Sequence, residues 1–327
     1  MRAWMCEELG PVSSLRLRDD VAEPTAGRGQ IVVDVHAASA NFPDLLVIEG
    51  KYQMRPTLPF SPGSELAGVV SAVGEGVSEH RIGDRVMAFS GVGAFAERVA
   101  LMPAQCVPLP QDMPFDIGAS LLLAYGTSHH ALVDRGRLAK GERVLVLGAA
   151  GGVGIAAVQI AKAKGAHVIA AASSEEKLAF CRAQGADETV LVAGATPDEL
   201  KARFKALGAL DVVYDAVGGE LSEPALRALR PRGRFLVVGF ASGAIPKVAL
   251  NLMLLKECDV VGVQWGVFAF REREKHVAIV EDLVRMWRAG EIRPPIHAAY
   301  PMARGTAALE DLQSRRVMGK ALVRVRE

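Results

Sequence analysis

The chain has 327 residues, half of them hydrophobic, enough to bury a large core and to form two domains of ordinary size. Lysine and arginine together number 38 against 37 aspartates and glutamates, so no overall field recruits nucleic acid, an anionic membrane surface or another strongly charged partner. Cys6, Cys106, Cys181 and Cys258 are scattered, without the Cys-x-x-Cys spacing of a zinc site or redox pair, and read as reduced thiols, mostly buried. No apolar run approaches the roughly 20 residues that span a bilayer, and nothing near Met1 has the pattern of a leader, which together predict a cytoplasmic protein.

Up to about residue 120 the chain carries short strand-like runs at 31–35, 66–73, 85–89 and 96–100. The turns Gly74-Glu75-Gly76 and Gly83-Asp84-Arg85-Val86 divide them, and 56–63 is a proline-stiffened loop, so the first domain is expected to be β-rich. From about residue 124 period two gives way to period 3.6. Strands are expected at 143–147, 167–172, 189–192, 211–216, 234–239 and 259–263, with helices at 153–164, 175–184, 197–207 and 222–229. That alternation predicts an α/β fold with a doubly wound parallel sheet. An amphipathic helix over about 274–289 and a last strand over 320–325 are expected to rejoin the first domain. The expected domains are 1–122, 123–264 and 265–327, the third returning to the first, with a small-molecule site in the cleft.

The stretch Gly148-Ala149-Ala150-Gly151-Gly152-Val153-Gly154 falls where a strand candidate meets a helix candidate. A tight turn there points backbone N–H groups and the positive end of the helix at an anion, and glycines let a pyrophosphate approach. The usual three glycine positions read Ala149, Gly151 and Gly154, so the fingerprint is approximate, but the flanking strand, helix and second strand support dinucleotide binding through Ala150, Gly151, Gly152 and Val153. The bland alternative is that the glycines only let the helix pack on the sheet.

A site for NADH normally carries a carboxylate at the end of the second strand. Here that place reads Ala172-Ser173, and Ser173, Ser174 and Lys177 supply hydroxyl and ammonium donors for a 2′-phosphate, favouring NADPH. Glu175 and Glu176 work against a phosphate, and Ser173 with Glu176 also reads as a capping box opening the next helix.

Six motifs in order, Asn41-Phe-Pro-Asp44, Gly50-Lys-Tyr52, Pro62-Gly-Ser-Glu65-Leu-Ala-Gly68, Gly83-Asp-Arg-Val86, Ala149-Ala-Gly-Gly-Val-Gly154 and Val217-Gly-Gly219, span almost the whole chain. Together they resemble the medium-chain dehydrogenase/reductase superfamily, in its zinc-free quinone oxidoreductase (zeta-crystallin-like) branch. The resemblance implies a β-rich GroES-like domain, a Rossmann domain, a homodimer paired through the edge strand near 259–263, and no catalytic zinc. Asn41 stands where zinc-dependent relatives have a Cys, Ser64 where they have a His, and neither replaces those ligands well.

The resemblance also implies site residues. Asn41 and Tyr52 would lie by the nicotinamide and donate hydrogen bonds to an acceptor oxygen, Asp44 would orient their loop, and Thr127 would sit near the nicotinamide. Gly239 and Phe240 would pass beside the cofactor, Val263 would lie close to the nicotinamide, and Lys320 in Met318-Gly-Lys320 would be near the cofactor or simply an exposed terminal lysine. A tyrosine that some relatives use for the 2′-phosphate has no counterpart in Val190-Leu-Val192. His129 and His130 are expected to be structural, since neighbours on a helix face different ways.

The expected function is NADPH-dependent reduction of a quinone. The alternative is reduction of an enone, alkenal or enoyl thioester, for which Arg271, Arg273 and Lys275 could line a basic channel. A non-enzymatic nucleotide- or RNA-binding role is the third reading, disfavoured by the neutral net charge.

Overall fold

The computed structural model describes residues 1–326, and these divide into two units, residues 1–123 with 294–326 and residues 124–293. In chain order the first unit contains β1 (Ala3–Met5), β2 (Arg16–Arg18), β3 (Ile31–Ala40), α1 (Phe42–Ile48), β4 (Glu65–Val73), β5 (Arg85–Phe89), β6 (Arg98–Leu101), β7 (Cys106–Pro108) and α2 (Phe115–Gly118). The second contains most of α3 (Leu122–His129), a π-helical turn (His130–Arg135), β8 (Arg143–Leu147), α4 (Gly152–Ala163), β9 (His167–Ala172), α5 (Glu175–Ala183), β10 (Glu188–Leu191), α6 (Pro197–Ala206), β11 (Leu210–Asp215), α7 (Ser222–Arg227), β12 (Leu229–Val237), α8 (Asn251–Lys256), β13 (Asp259–Gly262), α9 (Trp265–Arg271) and α10 (Arg273–Arg288). The chain then returns to the first unit with β14 (Ile296–Pro301), α11 (Thr306–Gln313) and β15 (Lys320–Arg324).

The first unit is built on a sheet in the order β14-β15-β3-β4-β5-β7, with β6 also paired to β3. Its pairings are antiparallel except β14 with β15. Alternating apolar positions such as Ile31, Val33 and Val35 on β3 and Val323 and Val325 near the chain end enter one core, closed by Leu309 of α11. The register sets Ser39 opposite Glu65 and Ala40 opposite Ala321. Three strand ends distant in sequence therefore lie side by side.

The second unit is an all-parallel sheet in the order β10-β9-β8-β11-β12-β13. Both faces of β8 and β11 are covered, as the apolar runs Val144 to Leu147 and Val212 to Tyr214 require, and all of residues 144–147 and 210–216 are buried. The order reverses between β8 and β11, so the carboxyl ends of these two strands form the switch point at which open α/β sheets bind ligands.

Each expected strand is present within a few residues, except that β3 and β12 are longer, whereas β1, β2, β7 and β14 have no counterpart among the expected strands. The domain boundary differs. The chain re-enters the first unit at 294, not 265, so α9 and α10 stay with the parallel sheet. The stripe His276, Ile279, Val280, Leu283 and Met286 is buried there, and Asp282 of α10 lies 2.9 Å from His129 Nε2 and from Lys164 Nζ. An amphipathic stripe says that a helix packs; it does not say on which body.

Candidate functional site

In the first unit, β3 delivers Ser39 and Asn41, β4 begins with Glu65, and β15 begins with Lys320. Asn41 precedes α1, and its backbone N–H donates to Asp44 Oδ2 at 2.7 Å, so the Asp44 carboxylate ties down the entry to the helix. The Asn41 side chain turns inward. Its Nδ2 donates to the Ser39 carbonyl oxygen and Oγ, both at 3.2 Å, and lies 3.4 Å from Glu65 Oε2, while its Oδ1 accepts from Lys320 Nζ at 2.5 Å. Lys320 Nζ also donates to Glu65 Oε2 at 3.1 Å, and Ser39 Oγ to the same oxygen at 2.5 Å. The other carboxylate oxygen of Glu65 accepts the Leu123 N–H at 2.9 Å. All of these side chains are buried, with Lys320 only 2% exposed.

Burial raises the Asp44 carboxyl from its ordinary 3.8 to about 7, with the Ser64 hydroxyl, the Asn41 N–H and the Lys320 ammonium pulling it back down. Tyr52, half-buried beyond α1 and packed on the core, has its phenol raised by burial and then by the Asp44 charge. The structure thus groups Asn41, Asp44 and Lys320 into one cluster with Ser39 and Glu65.

The raised Asp44 value has a stability consequence. Between about pH 4 and 7 the native state binds a proton that the unfolded chain has released, so this group's stabilising contribution is lost as pH rises through 7. Asp44→Asn should remove that decline, on the order of 2–4 kcal/mol across the window. Urea unfolding from pH 4 to 8 measures it; parallel profiles for variant and wild type would contradict the assignment.

In the second unit, the turn after β8 is compact. Gly148 has φ +69°, Gly151 precedes α4, and the N–H of Gly151 donates to the Gly148 carbonyl oxygen at 3.1 Å. A Cβ on Gly154 would lie 2.2 Å from the Gly148 carbonyl oxygen, whereas one on Gly151 would meet only that same oxygen at 3.6 Å. Gly154 therefore lets helix and turn touch, and Gly151 leaves open space at the helix N-terminus. Ala150 completes the turn, and Gly152 and Val153 open α4.

At the end of β9, Ser174 caps α5, its Oγ accepting the Lys177 N–H at 3.3 Å. The expected Ser173–Glu176 box does not form: the helix begins at Glu175, so the cap falls on Ser174 and N3 is Lys177. That releases Ser173 from the cap, and Lys177 Nζ donates to Ser173 Oγ at 3.4 Å.

The turn after β11 is held by its own carboxylate. Asp215 Oδ1 accepts the N–H groups of Val217 and Gly218, both at 2.8 Å, and Oδ2 accepts the Ser222 hydroxyl at 2.6 Å. The 239–242 segment runs beside it, with Gly239 N–H donating to the Asp215 carbonyl oxygen at 3.2 Å, Ser242 N–H to that of Val217 at 2.9 Å, and Phe240 packed against Gly218. Val263 continues the ladder past β13 through its N–H to the Val237 carbonyl oxygen at 3.0 Å. Gly148, Ser173, Val217, Gly239 and Val263 thus all follow carboxyl ends of strands in the parallel sheet.

Thr127 is half-buried on α3. Its neighbour Ser128, which sequence reasoning passed over, lies with Oγ 2.8 Å from the Val153 carbonyl oxygen and 2.9 Å from the Tyr214 hydroxyl, linking α3 to the first turn of α4 and to β11. Asp215 was missed too; a carboxylate followed by Val-Gly-Gly at a strand end was the available signal. His129 pairs with Asp282 and His130 stacks on Phe268, with burial lowering both imidazoles. Arg271 and Lys275 pair with Glu272 at 3.3 and 2.6 Å.

Residues 27–111 match the family model described as alcohol dehydrogenase GroES-like domain, and residues 152–281 that described as zinc-binding dehydrogenase. A quinone oxidoreductase-like protein 2 homolog from Nematostella vectensis is 34% identical over 333 residues, covering 100% of this chain and 89% of that protein. Among solved structures, a probable oxidoreductase from Mycobacterium abscessus superimposes with a TM-score of 0.88 at 37% identity, covering 99% of each chain. Escherichia coli quinone oxidoreductase complexed with NADPH superimposes with a TM-score of 0.91 at 28% identity, covering 99% of this chain and 100% of that one.

Proposed function

Because the chain belongs to the quinone oxidoreductase-like members of the medium-chain dehydrogenase/reductase superfamily, an oxidoreductase family, we propose that it reduces quinones at the expense of NADPH, without zinc. The observation that carries this reading is the end of β9, where a hydroxyl and an ammonium, Ser173 Oγ and Lys177 Nζ, stand together and no carboxylate follows Ala172 directly. The open backbone at Gly151 fits a pyrophosphate at the start of α4. Ala150, Gly152, Val153 and Ser174 border that path, and Gly239, Phe240 and Val263 would flank the rest of it.

When bound, NADPH supplies the hydride from its nicotinamide. The chain's own part is to hold the acceptor and answer the negative charge that develops on its oxygen. Tyr52 is the hydrogen-bond donor we assign to that oxygen, Thr127 a second hydroxyl near the nicotinamide, and solvent the source of the proton that completes the hydroquinone. Asn41 has its amide hydrogens directed at Ser39 and Glu65, so its role is to shape the turn that Asp44 secures.

A catalytic zinc does not fit the first-unit cluster. Its donors are the oxygens of Asn41, Ser39 and Glu65, with no thiolate or imidazole among them, and the described residues contain no group of three or more His, Cys, Asp or Glu suited to a metal. We further propose a cytoplasmic homodimer. The described residues include no helix long and apolar enough to cross a membrane, and all four cysteines are free. Edge strand β13 exposes Val260, and Leu250, Leu254 and Leu255 beside it in sequence are 75–82% exposed, apolar surface that a second copy would cover. A sedimentation mass of one chain would remove the dimer.

Incubation with NADPH and a panel of quinones and enones, followed by loss of cofactor absorbance, tests the activity. Saturable oxidation by quinones is expected. Oxidation by enones alone would move the reading to an alkene reductase, and oxidation by neither would sink it. Lys177→Ala should weaken NADPH by about tenfold or more, roughly 1.4 kcal/mol, and NADH far less; equal losses would remove Lys177 from the 2′-phosphate.

A further inference from the structure

Lys320 is the least expected member of the first-unit cluster. An ammonium is costly to bury unless it is paired and hydrogen-bonded, and a long apolar side chain would fill the same space without that cost. Yet Lys320 is 2% exposed, and its Nζ is held between Asn41 Oδ1 at 2.5 Å and Glu65 Oε2 at 3.1 Å. Two carboxyl groups, Asp44 and Glu65, are buried in the same cluster, and it is the only cation that hydrogen-bonds Glu65 among the described residues. Asn41 stands where the resemblance puts a zinc-ligating Cys and Ser64, next to Glu65, where it puts a His, and the all-oxygen donor set around Lys320 disagrees with zinc.

We propose that Lys320 is a positioning residue for the reduction, an internal cation that takes the electrostatic place of a metal ion. By accepting nothing and donating to both Asn41 and Glu65, the ammonium fixes which way the Asn41 amide points. Its oxygen must face Lys320, so its nitrogen faces Ser39 and Glu65, and the turn from Asn41 to Asp44 is locked ahead of α1. On this account Lys320 acts through Asn41 and Glu65 rather than by contact with the cofactor. The inference rests on the reductase reading for its kinetic arm only.

Two variants test it. Lys320→Ala leaves a cation-sized hole lined by Asn41, Ser39 and Glu65, so ethylammonium should raise its melting temperature while leaving that of the wild-type protein unchanged. No rescue would overturn the internal-cation assignment, whether or not the protein reduces quinones. Lys320→Met combined with Glu65→Gln removes both charges of the pair and guards against misfolding from an unpaired buried carboxylate. This double variant should bind NADPH, measured by direct titration, within about threefold of wild type, while its kcat for a quinone falls tenfold or more. A wild-type kcat would show that the cation is merely structural, and a tenfold loss of NADPH affinity would show that it serves the cofactor; either overturns the proposal. If the wild-type protein oxidises NADPH with none of the quinones or enones, the reductase reading fails and the ethylammonium melting result alone decides the role of Lys320.

Discussion

Gly154→Ala should nearly abolish NADPH binding and also destabilise the protein, whereas Gly151→Ala should weaken binding and leave stability unchanged. The contrast follows from what each new methyl group would meet. At Gly154 it would lie 2.2 Å from the Gly148 carbonyl oxygen and 2.8 Å from Ala149 Cα, both backbone atoms on the turn itself. No side-chain rotation relieves that contact, so α4 and the turn must separate. Overpacking of this kind costs about 1–3 kcal/mol of stability. Displacing N–H groups aimed at a pyrophosphate should weaken NADPH by roughly 100-fold, about 2.7 kcal/mol. At Gly151 the methyl would meet only one atom, at 3.6 Å, and φ −76° suits alanine, so the fold tolerates it while the space for the ligand shrinks. Thermal melting and NADPH titration of both variants check this. A Gly154→Ala protein with wild-type melting and affinity would mean that the turn is not the phosphate site.

The second large effect is expected at Asp215. Its carboxylate is 2% exposed and holds three donors, two of them backbone N–H groups of a turn whose glycines, Gly218 and Gly219, have φ +70° and +62°. Asp215→Ala would leave those donors unsatisfied at about 1–3 kcal/mol each, a total of about 3 kcal/mol or more. Asp215→Asn keeps one oxygen for the two backbone donors and lets Ser222 reverse its hydroxyl, so it should lose only about 1 kcal/mol. NADPH affinity should fall with the alanine variant as well, because Val217 packs directly behind Gly148: a Cβ there would lie 2.7 Å from Val217 Cγ2. Urea unfolding checks the first claim. A loss below about 1 kcal/mol for Asp215→Ala would show that the turn holds itself.

The candidate residues of the two units, each taken by itself, differed in how far they could be read beforehand. Those of the second unit lie in short segments, each announced locally: an apolar run, a glycine turn, a helix. Spacing along the chain is enough to find Gly148, Gly151 and Gly154, and to see that Ser173 replaces a carboxylate. Even there a single residue mattered, since the cap on Ser174 rather than Ser173 decides which hydroxyl meets Lys177. Asp215 was visible as a letter but not as a contact, because its partners become donors to it only once the Val217–Gly219 turn has closed.

In the first unit, the motifs carrying Asn41, Asp44 and Tyr52 were recognised, but their chemistry was not. Asn41 was expected to present its amide to an acceptor, and instead turns it towards Ser39, Glu65 and Lys320. Lys320 stood between a cofactor contact and an exposed terminal lysine, and is neither exposed nor near the chain's local signals: it meets Asn41 across 279 positions and Glu65 across 255.

By itself the sequence determined the α/β class, the strands of the parallel sheet and the glycine turn between β8 and α4, because each depends on residues within a few positions of one another. Only the tertiary structure decided that α10 belongs with the parallel sheet and that β15, β3 and β4 bring Lys320, Asn41 and Glu65 together. Strand order and register are set by the burial of whole faces, a global quantity that no local window contains.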